Sequence, residues 1–140
     1  MDAPTSEGPF AGPTPDGDPR AADVRARLNV AHASSASLPP RAKAKLDSQG
    51  KMFVRDRIAM LFDDGTFIED GRYANALAKG LPADGVVTGR GLVDGRPAIV
   101  VANDPSVKAG SWGARTVEKI IRATEMALRE ELPVFWFVDS

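Results

Sequence analysis

The residues best placed to do chemistry lie around the ends of two apolar runs. Asn103 and Asp104 close one run, and Asp139 and Ser140 close the other. Between them, Lys108-Ala-Gly110-Ser111-Trp112-Gly113 leads into a long amphipathic segment. Open α/β sheets form ligand crevices beyond the carboxyl ends of their strands. Backbone N–H groups at a Gly-containing helix start offer a site for an anion or a carbonyl oxygen. Lys108, Gly110, Ser111 and Gly113 are therefore the candidate binding residues. A tight turn followed by ordinary helix capping fits the same pattern, and spacing alone leaves both readings open. Asp104-Pro105 reads as turn chemistry, and Trp112 as a residue that stacks on a ligand or packs in the loop.

Other chemistries are excluded by residue type. With no cysteine among 140 residues, there is no disulfide, thiol nucleophile or Cys-ligated zinc. The single histidine, His32, reads as an exposed helix-end residue and cannot serve a Ser/His/Asp triad. No Walker A sequence is present, and Gly89-Arg-Gly-Leu-Val-Asp94-Gly95 lacks the third glycine and following helix of a dinucleotide fingerprint. Eighteen basic residues balance nineteen acidic ones, with a pI near 5.8. That is not the basic stripe of a nucleic-acid binder. No apolar run reaches the roughly 18 residues that span a bilayer. The first residues lack the basic and apolar regions of a signal peptide, so a cytoplasmic location is expected.

The elements that must position the loop follow from pattern. Residues 1–20 carry closely spaced Pro and Gly and almost no large apolar side chain, which predicts a disordered tail. Residues 21–49 read as N-terminal helices, one to about Ala33, then a break over Ser34–Pro40, then a short one through Leu46 with Gly50 as its stop. Residues 50–140 carry the main fold. Val54, Ile58, Leu61 and Phe62 share one helical face, Asp63-Asp64-Gly65 turns the chain, and Thr66–Glu69 reads as a short strand. Gly71–Asp84 is loop-like.

Val86–Val93 and Pro97–Ala102 form a hairpin on Asp94-Gly95, a pair favoured where both turn residues need positive φ. Gly89 and Gly91 weaken the first strand and suggest a bulge or a close approach by another backbone. Ile99-Val-Val-Ala is continuously apolar, as in a strand covered on both faces. A helix follows over about Ala114–Glu131, with Val117, Ile120, Ile121, Thr124, Ala127 and Leu128 as its apolar face. It carries Glu118–Arg122 and Glu125–Arg129 as i,i+4 pairs. Val134–Val138 should be buried between layers, with Trp136 in the core. The ββαβ order predicts an α/β layer.

Several segments together resemble one family. They are Gly50-Lys51…Arg55-Asp-Arg57-Ile58…Leu61…Asp63-Asp-Gly65-Thr-Phe67-Ile-Glu69, then Gly85-Val-Val-Thr-Gly89…Gly91…Val93-Asp-Gly95. Val101-Ala-Asn103-Asp104, Val107-Lys108-Ala-Gly110 and Pro133-Val-Phe-Trp-Phe-Val-Asp139-Ser140 complete the set. In order and spacing, residues 46–140 resemble the N-terminal part of the carboxyltransferase (β) subunit of biotin-dependent acyl-CoA carboxylases, nearest the methylcrotonyl-CoA and propionyl-CoA type. The absence of cysteine sets aside the acetyl-CoA carboxylase β subunits that carry a zinc ribbon.

The resemblance implies a crotonase-like fold of stacked ββα units, here an incomplete domain. It also implies transfer of a carboxyl group from carboxybiotin to an acyl-CoA. The acyl-CoA would sit against Lys108, Gly110, Ser111 and Gly113, and no metal is implied. Carboxybiotin would come from a biotin carboxylase/biotin carboxyl carrier partner, and further copies of the β subunit would complete the site. The resemblance assigns no catalytic residue within this chain, because the oxyanion segment of the family follows the residues matching Asp139-Ser140. The expected reading is a fragment, inactive alone. Another crotonase-type acyl-CoA enzyme (a decarboxylase or hydratase) and a non-catalytic interaction module are the alternatives.

Overall fold

A computed structural model describes residues 18–75 and 84–139. Asp18 caps the first helix: its Oδ1 accepts the Arg20 N–H at 2.9 Å, and Pro19 takes the first helical position, where its missing N–H is not needed. This helix, α1, runs Pro19–Ala36. The tail expected over residues 1–20 lies mostly outside the described residues, but Pro19 and Arg20 are helical. The break expected at Ser34 comes later, at Ser37-Leu38-Pro39. Ser35 Oγ donates to the His32 carbonyl at 2.9 Å, bonding back along the helix without breaking it, and Ser37, extended just past the last turn, closes the helix end by donating from Oγ to the Ser34 carbonyl at 2.9 Å.

Helix α2 (Pro40–Ser48) opens on a proline, and Gly50 follows it in the left-handed region at φ 64°. Helix α3 (Val54–Leu61) turns Val54 and Ile58 inward, with Phe62 buried just past its end. Strand β1 is Ile68–Asp70, two residues later at its start than the pattern predicts. Strands β2 (Val86–Val93) and β3 (Arg96–Asn103) pair antiparallel from Val93↔Arg96 to Val86↔Asn103. Their connection is Asp94-Gly95, at φ 49° and 74°. Such two-residue turns match the twist of the flanking strands. Asp63 caps it, accepting the Asp94 N–H at 3.1 Å and the Gly95 N–H at 2.8 Å.

Helix α4 (Ala114–Glu130) then carries the chain back to strand β4 (Val134–Phe137), parallel to β3. The sheet order is β1-β2-β3-β4. The sheet is covered on two faces, because alternate residues of β3 point opposite ways. Val100 and Ala102 pack with Val87 and Ala98 against Val54, Ile58 and Phe62. Ile99 and Val101 pack with Val86 against Ala123 and Ala127 of α4. The run Ile99–Ala102 is accordingly at most 1% exposed.

The close approach expected at the glycines of β2 is made by backbone at Gly89 and by a side-chain ring at Gly91. A Cβ on Gly89 would stand 2.5 Å from the Ile68 carbonyl oxygen, and one on Gly91 would stand 2.7 Å from the Phe62 ring. The absence of both side chains lets β1 and Phe62 lie directly on the strand.

Three expectations are corrected. The buried face of α4 is Thr116, Lys119, Ala123 and Ala127, with Ile120 packed beside it, so of the expected stripe Ala127 and Ile120 meet the sheet and the large Val117, Ile121 and Leu128 do not. Val117, Ile121 and Leu128 are 42%, 50% and 82% exposed. Small residues let the helix sit close to the strands, which apolarity counting misses. Strand β4 is an edge and is not sandwiched: Trp136 is 43% and Val138 78% exposed. His32 is half-buried, and its Nδ1 lies 2.9 Å from the Tyr73 hydroxyl.

The expected pairing of Arg122 with Glu118 is replaced by an ion pair of Arg122 with Asp70 at 2.9 Å, and Glu118 takes Arg115 at 2.8 Å. Among the described residues no helix is long and apolar enough to cross a membrane.

Candidate functional site

The loop between β3 and α4 is built on a run of left-handed backbone. Lys108, Ala109 and Gly110 have φ of 45°, 55° and 73°. For residues with a Cβ this region costs roughly 1–2 kcal/mol each, so the surroundings must hold it. Gly110 N donates to the Val107 carbonyl at 2.9 Å and Ser111 N to the Lys108 carbonyl at 3.2 Å. From the end of β3, Asn103 Nδ2 donates to the Gly110 carbonyl at 3.2 Å. Gly85 leaves space for the loop: a Cβ there would be 2.7 Å from the Ser111 carbonyl oxygen.

Asp104 is buried and accepts from both the backbone N–H and the hydroxyl of Ser106, at 2.9 and 2.5 Å. It is turn chemistry, as expected. Burial raises its carboxyl above the ordinary 3.8, and the Ser106 bonds oppose that shift.

This loop and the start of α4 enclose a groove of about 230 Å³, whose lining includes Lys108, Ser111, Trp112, Gly113, Arg115 and Asp84. Three of the four candidate residues meet there: Lys108, Ser111 and Gly113, all exposed. Gly110 does not. It is buried beneath the loop, where a Cβ would be 3.0 Å from the Asp139 carbonyl oxygen. Gly113 differs in kind. Its φ is −113°, and a Cβ would meet only Thr116 Oγ1, at 4.0 Å. Trp112 is 55% exposed at the rim, so its indole face is not used up in packing.

The groove floor holds groups that the sequence pattern does not mark. Thr116 Oγ1 accepts the Gly113 N–H at 2.9 Å and donates to Asp84 Oδ1 at 2.7 Å. Asp84 also accepts the Gly85 N–H at 2.9 Å, and its other oxygen lies 3.3 Å from Lys119 Nζ. Lys119 donates in turn to the Val86 carbonyl. Both side chains of this ion pair are only 7% exposed. A hydroxyl three residues past the cap was a usable signal for Thr116. A lysine in mid-helix gives no such signal.

Lys108 and Arg115 at the rim, with α4 opening onto the groove, suit an anionic or carbonyl ligand. No described residue forms a free nucleophile–base pair there, and no cluster of His, Asp or Glu among the described residues could hold a metal.

Residues 45–140 match the sequence pattern of the family described as Carboxyl transferase domain. The chain belongs to that carboxyl transferase family. Among its relatives, the carboxylase YngE of Bacillus subtilis, described as uncharacterized, is 53% identical over 66% of this chain and 18% of its own length. The biotin-dependent 3-methylcrotonyl-coenzyme A carboxylase beta1 subunit of Mycobacterium tuberculosis is 41% identical over 71% of this chain and 20% of its own. This carboxyl transferase chain thus spans about a fifth of the curated relatives it matches. Its fold is that of transcarboxylase 12S, solved as a hexamer with methylmalonyl-coenzyme A and methylmalonic acid bound. That likeness has a TM-score of 0.71 at 31% identity, over 91% of this chain and 26% of the other. The family fold is crotonase-like, as the resemblance implied.

Proposed function

We propose that this chain is the acyl-CoA-binding part of a biotin-dependent carboxyltransferase, and that the groove between Lys108 and Arg115 receives the acyl-CoA. The observation that carries the reading is Gly113, an open backbone position at the start of a 17-residue helix with cations on either side. Without a Cβ the chain lets a ligand approach the backbone closely, and the helix start favours its negative groups. Lys108 would face the CoA phosphates as an exposed point charge, and Arg115, paired with Glu118 at 2.8 Å, would have to share its guanidinium between that carboxylate and the ligand. Ser111 and Gly113 would border the pantetheine or the thioester.

Carboxybiotin, delivered by a biotin carboxylase/carrier partner, would supply the carboxyl group, and no described residue is assigned to hold it. A second β-subunit copy would face the groove in the assembled enzyme. Thr116 and Asp84 keep the helix start in place, since Thr116 Oγ1 takes the Gly113 N–H. The contribution of this segment is uniform binding, which sets KM more than kcat.

Calorimetric titration of the chain with acetyl-CoA and propionyl-CoA tests the reading. Gly113→Val fills the groove without touching the core and is expected to weaken binding at least about tenfold, or 1.4 kcal/mol. Lys108→Ala should weaken it by a smaller factor that shrinks at high salt. Unchanged affinity in both variants, with unchanged folding, would make the loop structural and end this assignment.

A further inference from the structure

The end of β4 is tied to this loop through one carboxylate. Asp139 receives Lys51 Nζ at 2.7 Å and Arg57 Nη1 at 3.7 Å, and its side chain is only 15% exposed. Lys51 precedes α3 and Arg57 lies within it. The Arg57 guanidinium also lies over the Phe137 ring, 4.7 Å from its centroid, a cation–π contact that fixes its direction. The backbone of Asp139 is the surface on which Gly110 rests, with its carbonyl oxygen where a Gly110 Cβ would press at 3.0 Å. The left-handed run Lys108–Gly110 thus has three supports from strand ends: Gly85 before β2, Asn103 at the end of β3, and Asp139 after β4. The first is held by the Asp84 carboxylate through the Gly85 N–H, and the third by its own ion pairs with Lys51 and Arg57.

We propose that Asp139 is a positioning residue for the groove. Held by Lys51 and Arg57, it fixes the end of β4 under Gly110 and so sets where the Lys108–Gly113 backbone stands. The functional weight of that position rests on the acyl-CoA reading above. The mechanical coupling does not. Removing the charge leaves Lys51 and Arg57 without their carboxylate, so the strand end loosens and the loop above loses its floor.

The experiment is nitrogen-labelled NMR of the chain. Asp139→Asn should move the amide signals of Gly110, Ser111 and Trp112 and speed exchange of the Gly110 amide by about tenfold or more, a local opening. Signals of Asp94 and Gly95 should stay in place. Arg57→Gln, which leaves β4 and the loop unaltered in sequence, should reproduce part of the shift. Asp139→Glu keeps the charge and should restore protection. If the loop signals and their exchange are unchanged in both Asp139→Asn and Arg57→Gln, the proposal is wrong.

Adding CoA to the same samples separates the two readings. A loop that responds to Asp139→Asn but not to CoA in the wild-type chain upholds the positioning role and overturns the acyl-CoA assignment. A loop that responds to CoA equally in wild type and Asp139→Asn, with no change in exchange, does the reverse.

Discussion

The two edges of the sheet are made of different material. Beside β1, charge closes the surface: Arg122 pairs with Asp70 at 2.9 Å, Arg90 with Glu130 at 3.8 Å, and Arg55 grips Glu69 with two bonds at 2.7 and 3.0 Å. The strand itself is three residues long, a blunt edge that offers little to a foreign strand. Beside β4, charge gathers at the end of the strand, where Lys51 and Arg57 meet Asp139. Trp136 on the strand and Val138 just past it stand in the open, and Val117, Ile121 and Leu128 are exposed along the side of α4 away from Arg122 and its partner Asp70. Apolar residues collected on one flank and beside a strand edge make a surface suited to being covered. The two edges are therefore expected to answer differently to substitution, the β1 edge in stability and the exposed side chains beside β4 in association.

The strongest way to break this contrast is through the β1 side. Gly89→Val places a side chain against the Ile68 carbonyl and the Phe67 ring, where a Cβ alone would meet atoms at 2.5 and 2.6 Å. Backbone cannot yield as a side chain does, so a loss of at least about 3 kcal/mol is expected. It should be read as a lowered urea midpoint at unchanged slope.

Changes on the β4 side should act on association instead. Leu128→Glu with Trp136→Ser removes two exposed apolar side chains and should alter stability by no more than about 0.5 kcal/mol. Sedimentation velocity should show concentration-dependent self-association of the parent chain and a monomeric variant. A parent chain that stays monomeric at high concentration would contradict the contrast.

The smallest effect concerns the polar joint between α1 and the body. His32 Nδ1 meets the Tyr73 hydroxyl, while Arg72 donates to Ser35 Oγ at 2.8 Å and to the His32 carbonyl at 3.2 Å. Arg55 adds a bond to the Ser35 carbonyl at 2.9 Å. Burial first, and then the Arg72 charge, lower the His32 pKa below its ordinary 6.5, with Glu69 opposing and Arg55 adding slightly. The unfolded chain therefore binds this proton more readily. Stability is fully present above pH 6.5 and falls as the pH drops through that value.

A melting temperature lower at pH 5.5 than at pH 7.5, with the difference flattened in His32→Gln, is the expected record. Asp104, raised by burial, works in the opposite sense at lower pH, gaining stability as the pH falls toward 3.8.

Much of this was legible before the structure. Asp94-Gly95 announced the hairpin because few other pairs accept two positive φ angles. Gly89 and Gly91 announced a bulge or a close approach, and Ile99–Ala102 announced a strand covered on both faces. The loop Lys108–Gly113 was found by its place between a strand and a helix. What stayed hidden were burials decided by partners far away in sequence. Lys119 reads as a solvated lysine until Asp84 and the Val86 carbonyl are brought to it. Gly110 and Gly113 look alike in sequence, yet one is buried on Asp139 and the other is open. The sheet face of α4 is legible at Ala127 and Ile120 but not at Ala123, which is small, nor at Val117, Ile121 and Leu128, which are large and exposed.

The chain has two tryptophans, and they mark its two available surfaces. Trp112 stands on the rim of the groove at 55% exposure, and Trp136 on the open edge at 43%. Both indoles are already half in water while the protein is folded. Their emission is therefore expected to change little when the chain unfolds, and intrinsic fluorescence makes a poor folding signal. It makes a good covering signal: a blue shift at constant fold reports that something has come to rest on the groove or on the edge. Replacing one tryptophan by phenylalanine tells which.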